Sequence, residues 1–371
     1  MTVLAKAKRI IIKVGSSLLI DEANHVREHW LVSLAQDIAQ LKTSGKQVIV
    51  VTSGAVALGR HPLGYGKRTL TLEEKQGAAA CGQITLVSAW AQALAKVDLF
   101  PAQMLLTADD SIERRRYLNA RNTLEALLEN PKAIPVINEN DTVATAEIRF
   151  GDNDRLAARV AQMAGADMLV LFSDIDGLYS ANPAKDKAAK FIAEVKEITA
   201  DIENMAGGSS SSVGSGGMIT KIAAAKIAMG AGCHMVIAQG NVQHPLKALA
   251  DGGKHTLFVA QESPLGARKR WIAGSIHPAG SLTVDKGAAG ALKGGKSLLP
   301  AGVVAVDGDF DRGDAVLIRD EAGNTLGKGI IAYGSEDARR IRGKQSQEIE
   351  QILGFKRRDV LIHRDDMALD G

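Results

Sequence analysis

A chain of 371 residues exceeds the usual size of a single hydrophobic core, so two domains are expected. Its 46% hydrophobic and 23% charged residues match an ordinary soluble globular protein and exclude a disordered or fibrous one. A formal net charge of +3 leaves no electrostatic footprint for nucleic acid or a membrane surface. Aromatic residues make up only 4% while glycines number 38, a balance suited to tightly packed helices and backbone loops around a small-molecule site. Cys81 and Cys233 lie far apart without CxxC spacing, so neither a disulfide framework nor a zinc site is expected. The start, MTVLAKAKR, lacks a signal-peptide apolar region, and no apolar run is expected to approach the roughly eighteen residues that span a bilayer. A cytoplasmic location follows as the expectation.

Along the chain, RIIIKV (9–14) reads as a buried strand interrupted by Lys13 and followed at once by Gly15, Ser16 and Ser17. A lysine at the carboxyl end of a buried parallel strand is costly unless it faces a cleft. Lys13 is therefore a candidate anion ligand, with Gly15 letting backbone amides approach the same anion; a solvent-facing lysine on an edge strand is the plainer alternative. Trp30, Leu31, Leu34, Ile38 and Leu41 recur at helical spacing up to Gly45, and QVIVV then runs as a strand into Thr52, Ser53 and Gly54. Neither turn matches GxxxxGK[ST] or GxGxxG, which weakens P-loop and dinucleotide readings.

Glu73 to Lys96 reads as a long Ala/Gly-rich helix, LFPAQMLL as a strand, and ERRRYLNARNTLEALLEN as an amphipathic helix whose arginines coat a solvated face. VINENDTVATAEIRFGDND (136–154) follows, a short strand running into more acids and amides than packing requires. That loop is a candidate binding loop, and a polar turn held by Asx hydrogen bonds is its bland counterpart. A helix from about Asp154 to Met163 has Asp152 to Asp154 at the positive end of its dipole. MLVLFSDIDGLYSANP is a further strand ending in Ser173 and Asp174, and FIAEVKEI is expected as one strand. GGSSSSVGSGG (207–217) has linker composition, yet it runs straight into a helix carrying Lys221, as a phosphate cradle would. The expected domain boundary falls at 261–270, with a catalytic domain at 1–262, a linker at 263–275 and a small β-rich module at 276–371. From Arg268 to Gly371 the 17 Lys and Arg nearly balance 15 Asp and Glu, which argues against RNA as that module's partner.

Taken together, several strand ends, a glycine-rich helix start, two lysines and an acidic loop would meet at the carboxyl edge of one sheet. Phosphoryl transfer needs that inventory, and Asp154 is the candidate carboxylate to hold Lys13 and Lys221 in register. The expected fold is an open α/β/α sandwich followed by the β-rich module.

The chain resembles the amino acid kinase family through KVGSSLL, VTSGAVALGR, AQMLLT, ERRRYLNARNTLEALL, VINENDTVAT, GDND, SDIDGLYSANP, SGGMITKIAAAKIA and PLGARKRW. It is most similar to the branch that acts on glutamate. SLLPAGV, KQSQEI and IHRDDM extend the likeness to the end, where the module resembles a PUA domain. The resemblance implies ATP-dependent phosphorylation of the L-glutamate side-chain carboxylate to L-glutamyl 5-phosphate, the first step of proline synthesis. It further implies glutamate binding by Ser53, Asp141 and Asn153. ATP binding falls to Lys13, Ser173, Asp174 and the run Ser215, Gly216, Gly217, Met218, Ile219, Thr220 and Lys221. Lys13, Lys221 and Asp154 are the implied catalytic residues. Mg2+ would enter on ATP, so no protein metal ligand is assigned. Feedback inhibition by proline, a homo-oligomer (dimer or tetramer) and a glutamate 5-semialdehyde dehydrogenase partner are also implied. Departures are SDIDG, where many relatives have TDxxG, and the serine-rich GGSSSSVGSGG. Two rival readings remain at this level: a related kinase with aspartate or acetylglutamate as acceptor, and an RNA-binding protein acting through the PUA-like module.

Overall fold

The computed structural model describes residues 3–144, 153–207, 217–275 and 277–370. The chain divides into two compact units, Met1–Pro264 and Leu265–Gly371. Residues of the expected linker are helical, in the element Pro264–Ser275.

Eight strands build the sheet of the first unit: β1 (Arg9–Val14), β2 (Gln47–Val51), β3 (Phe100–Leu106), β4 (Ala133–Glu139), β5 (Met168–Ser173), β8 (Glu194–Val195), β9 (His234–Gln239) and β10 (His255–Phe258). Two further short strands, β6 (Leu178–Tyr179) and β7 (Phe191–Ile192), pair with each other. The sheet order is β3-β4-β2-β1-β5-β9-β10-β8. Every pairing in it is parallel except β9 with β10. FIAEVKEI, expected as one strand, divides between β7 and β8, which belong to different sheets.

Alternation along these strands sorts their side chains into two cores. Ile10, Ile12, Val48, Val50, Val170 and Phe172 face one layer of helices, which includes Glu28–Thr43 and Leu72–Ala95. Ile11, Ile49, Val51, Leu169 and Leu171 face the other, with Arg114–Glu129, Asn153–Ala164 and Met218–Gly230. The two-residue period places Lys13 on the side of Ile11, facing the layer of the last two helices.

Local signals set the element ends. Thr71 and Glu74 form a reciprocal capping box at the start of Leu72–Ala95. Gly45, with φ +78°, ends Glu28–Thr43 as Lys46 N donates to Leu41 O at 3.1 Å. Gly54 sits at φ +113° between β2 and the helix Ala55–Arg60, a conformation only glycine adopts without strain.

Among the described residues, Leu72–Ala95 is long and apolar enough to cross a membrane by length and composition alone. This corrects the expectation that no such run exists. Alanine raises the helix's mean hydropathy, while Leu86, Trp90 and Leu94 are buried in the first core.

That helix meets Ala55–Arg60 backbone to backbone. A Cβ added at Gly82 would lie 1.8 Å from Ala55 O, and one at Gly59 would lie 1.8 Å from Ala78 O. Gly82→Ala must force the helices apart, with an expected loss of about 2 kcal/mol by chemical denaturation. Because Ser53 and Gly54 lead into the displaced helix, the variant is also expected to bind substrate more weakly; unchanged stability would show that the pair separates freely.

In the second unit the strands are β11 (Gly280–Val284), β12 (Val303–Gly308), β13 (Ala315–Asp320), β14 (Thr325–Ile330) and β15 (Met367–Leu369), ordered β12-β11-β13-β14-β15. Leu282, Val316, Ile318, Tyr333 and Ile341 form their core. Asp366, 5% exposed, accepts from Arg268 Nε at 2.9 Å and Arg268 Nη2 at 2.6 Å. Two guanidinium nitrogens on one oxygen of a buried carboxylate tie the segment before β15 to the helix Pro264–Ser275.

Candidate active site

Four parallel strands, β4, β2, β1 and β5, end side by side at one edge of the large sheet. Lys13 comes off the end of β1, Asp154 from the first turn of Asn153–Ala164, and Lys221 from the first turn of Met218–Gly230. Lys13 Nζ lies 2.6 Å from Asp154 Oδ1, and Lys221 Nζ donates to Asp154 Oδ2 at 3.0 Å. Thr220 Oγ1 reaches the same Oδ2 at 3.1 Å. All three charged groups are buried, Lys13 at 8%, Lys221 at 5% and Asp154 at 0% exposure.

Burial on its own would push the Asp154 carboxyl up; the two ammonium groups, by charge and hydrogen bond, outweigh it and hold the carboxyl below its ordinary range. One carboxylate shared by two lysines leaves this triad with an excess positive charge. A Cβ at Gly15 would lie 3.6 Å from Lys13 Nζ, so the backbone turn after β1 runs close beside that ammonium.

Of the residues expected to bind the acceptor, Asn153 directly precedes Asp154, and Ser53 follows the end of β2. Asn153 Nδ2 donates to Thr52 O and, at 2.9 Å, to Asn138 Oδ1. Ser53 Oγ donates to Val14 O at 3.0 Å, joining the ends of β2 and β1. Asp141 is half-buried and lines a cavity of about 350 Å³ together with Gln83, Glu139, Asn140 and Thr142. Thr142 Oγ1 donates to Asn140 Oδ1 at 2.6 Å, so the loop is partly the Asx-bonded turn that its composition allows.

On the other side of β1, Ser173 ends β5 buried at 7% exposure, and its Oγ donates to Asp174 Oδ1 at 2.9 Å. Gly217 caps Met218–Gly230 in extended conformation; Met218 is half-buried, Ile219 is 54% exposed and Thr220 Oγ1 donates to Gly217 O at 2.7 Å. Ser215 and Gly216 lie outside the described residues, as does Asp152.

The sequence reading missed Gln83. It sits in the middle of Leu72–Ala95, where one amide in an alanine-rich helix carries no spacing or motif signal.

Residues 8–239 match the amino acid kinase family and residues 280–353 match the PUA domain. A protein named glutamate 5-kinase from Paramagnetospirillum magneticum is 59% identical over 372 residues, covering 100% of both chains. Proteins of the same name from Rhodopseudomonas palustris strain BisB5 and from Nitrobacter winogradskyi are 55% and 56% identical. They cover 98% and 99% of this chain and 96% and 97% of their own lengths. The chain therefore belongs to the amino acid kinase family, in its glutamate 5-kinase branch with a C-terminal PUA domain.

Proposed function

We propose that this chain transfers the terminal phosphoryl group of ATP to the side-chain carboxylate of L-glutamate, giving L-glutamyl 5-phosphate for proline synthesis. The observation that carries the reading is the buried Lys13–Asp154–Lys221 bridge, supported by full-length likeness to proteins named glutamate 5-kinase.

Its chemistry limits the acceptor. Asp154 is fully buried, paired on both oxygens and held ionised, so it is a poor proton acceptor. A hydroxyl acceptor would need a general base, whereas a carboxylate is already anionic at neutral pH and needs none. Asp154 is then a positioning group, and Lys13 and Lys221 place two positive charges where the transferred phosphoryl group gains negative charge. Mg2+ brought in on the nucleotide supplies further charge neutralisation at the phosphates.

Ser53, Asp141 and Asn153 are assigned to glutamate. Lys13, Ser173, Asp174 and the run from Ser215 to Lys221 are assigned to ATP. Gly217, at the start of Met218–Gly230, supports this because a helix N-terminus presents unpaired amides to phosphate. Proline would compete for the loop around Asp141 by presenting the same ammonium and carboxylate as glutamate. The labile acyl phosphate calls for a reductase such as glutamate 5-semialdehyde dehydrogenase to consume it, and a dimer or tetramer is the assigned assembly.

An acyl phosphate assay tests the reading: purified protein, MgATP, and hydroxylamine to trap product, with glutamate, aspartate or acetylglutamate as acceptor. Hydroxamate from glutamate alone is expected. Product from another acceptor would keep the chemistry and change the substrate, and none from any acceptor would overturn the assignment.

A further inference from the structure

Three amides in a row run from the helix Leu72–Ala95 to the candidate acceptor site. Gln83 Oε1 accepts from Asn138 Nδ2 at 2.9 Å, and Asn138 Oδ1 accepts from Asn153 Nδ2 at 2.9 Å. Asn153 Nδ2 also donates to Thr52 O. A primary amide has two hydrogens on its nitrogen, so both hydrogens of Asn153 are committed and Oδ1 is the atom it can offer to a ligand.

The sense of the chain is set at its Thr52 end and closed at its Gln83 end. The Thr52 carbonyl can only accept, which turns the nitrogen of Asn153 toward it. Asn153 in turn takes Asn138 Oδ1 as its second acceptor, which leaves the nitrogen of Asn138 facing the oxygen of Gln83. Rotating Asn138 by half a turn would set oxygen against oxygen at Gln83 and nitrogen against nitrogen at Asn153, and rotating Asn153 would set its oxygen against two others.

Leu72–Ala95 holds both ends of this chain. Trp90 Nε1, two turns beyond Gln83, donates to Thr52 Oγ1 at 3.2 Å. The helix is fixed by its capping box at Thr71 and by the backbone contact at Gly82, the residue before Gln83. Asn138 is 3% exposed with Gln83 in place, so the glutamine oxygen and not bulk water is the partner of its nitrogen.

We infer that Gln83 is a positioning residue that, through Asn138, locks Asn153 with Oδ1 presented to the substrate, and that this oxygen accepts from the α-ammonium of the amino acid. The inference rests on the assignment of Asn153 to glutamate. It makes part of the acceptor specificity a property of a residue in the middle of Leu72–Ala95, acting through Asn138.

The test compares Gln83→Met, Gln83→Ala and Gln83→Glu with the wild-type protein in the hydroxamate assay, using glutarate, which lacks the ammonium group, as a competing ligand. Met fills the space with only a weakly accepting sulfur and Ala leaves it open, so the two replacements differ in folding risk. Glu keeps an acceptor oxygen whether or not it is ionised. For Gln83→Met and Gln83→Ala, KM for glutamate is expected to rise about tenfold, with kcat and KM for ATP within about twofold. The preference for glutamate over glutarate should fall by the same factor, and Gln83→Glu should return both to within about threefold of wild type.

A purely structural role predicts something else: parallel losses for ATP and glutamate, an unchanged preference over glutarate, and no rescue by Gln83→Glu. Any of these, in a wild-type protein that phosphorylates glutamate, overturns the inference alone. A wild-type protein with no glutamate-dependent product overturns it together with the functional assignment.

Discussion

Lys221→Ala is expected to lower kcat by about 10²–10³-fold while leaving KM for glutamate within about threefold of wild type. Lys221 is 5% exposed and its ammonium sits 3.0 Å from Asp154 Oδ2, so it is held in place before any ligand arrives. A cation held this way in a water-poor site stabilises charge that develops in the transition state without having to reorganise. The glutamate contacts assigned to Ser53, Asp141 and Asn153 do not pass through Lys221, which is why KM should barely move. Steady-state kinetics with the hydroxamate trap reads both constants. A glutamate KM raised in proportion to the loss of turnover would mean that Lys221 belongs to acceptor binding and would undo its assigned role.

Asp154→Asn should have the largest effect on stability, about 3 kcal/mol, because it leaves two buried ammonium groups without their shared carboxylate. The asparagine oxygen can serve one lysine, but its nitrogen then faces the other, donor against donor. Turnover falls as well, since Lys13 and Lys221 lose the group that sets their spacing.

The pH dependence follows from the direction of the Asp154 shift. Its native pKa lies below the unfolded value, so its stabilising contribution is complete above about pH 4. That contribution is lost as the pH falls through the lower native value. The stability gap between wild type and Asp154→Asn, measured by chemical denaturation, should therefore be full at neutral pH and narrow only in acid. A gap that stayed constant down to pH 2 would show that the deficit comes from packing and not from charge.

Much of this arrangement is legible in the chain itself. RIIIKV is a strand whose lysine could not be buried without a partner, and Asp154 opens a helix where a carboxylate suits the dipole. The glycine-rich run ahead of Lys221 marks a helix start. The parallel strands follow from the alternation of apolar runs with helical patterns, and the β-rich C-terminal module from short strand-like runs punctuated by glycine.

Other features depend on partners distant in sequence. FIAEVKEI has the composition of one strand, yet its halves pair separately with β6 and β10. The helical reading of 73–96 was correct in kind but silent about Gly82 packing on Ala55 and about Gln83 bonding to Asn138, 55 residues on. The expectation about membrane-length runs failed for a related reason, because composition does not say which face of Leu72–Ala95 a core will cover.

Sequence by itself determined the inventory: two cationic side chains, an acid between them, an amide-rich acceptor loop and a full-length family likeness. Local periodicity and charge suffice for that, since they depend on neighbours in the chain. Tertiary structure alone decided that one carboxylate bridges both lysines at 2.6 and 3.0 Å and that a helix glutamine joins Asn138 and Asn153 in one row of amides. Distances of that kind are fixed by the sheet order β4-β2-β1-β5, which gathers residues 13, 53, 138 and 173 at one edge and which no local signal encodes.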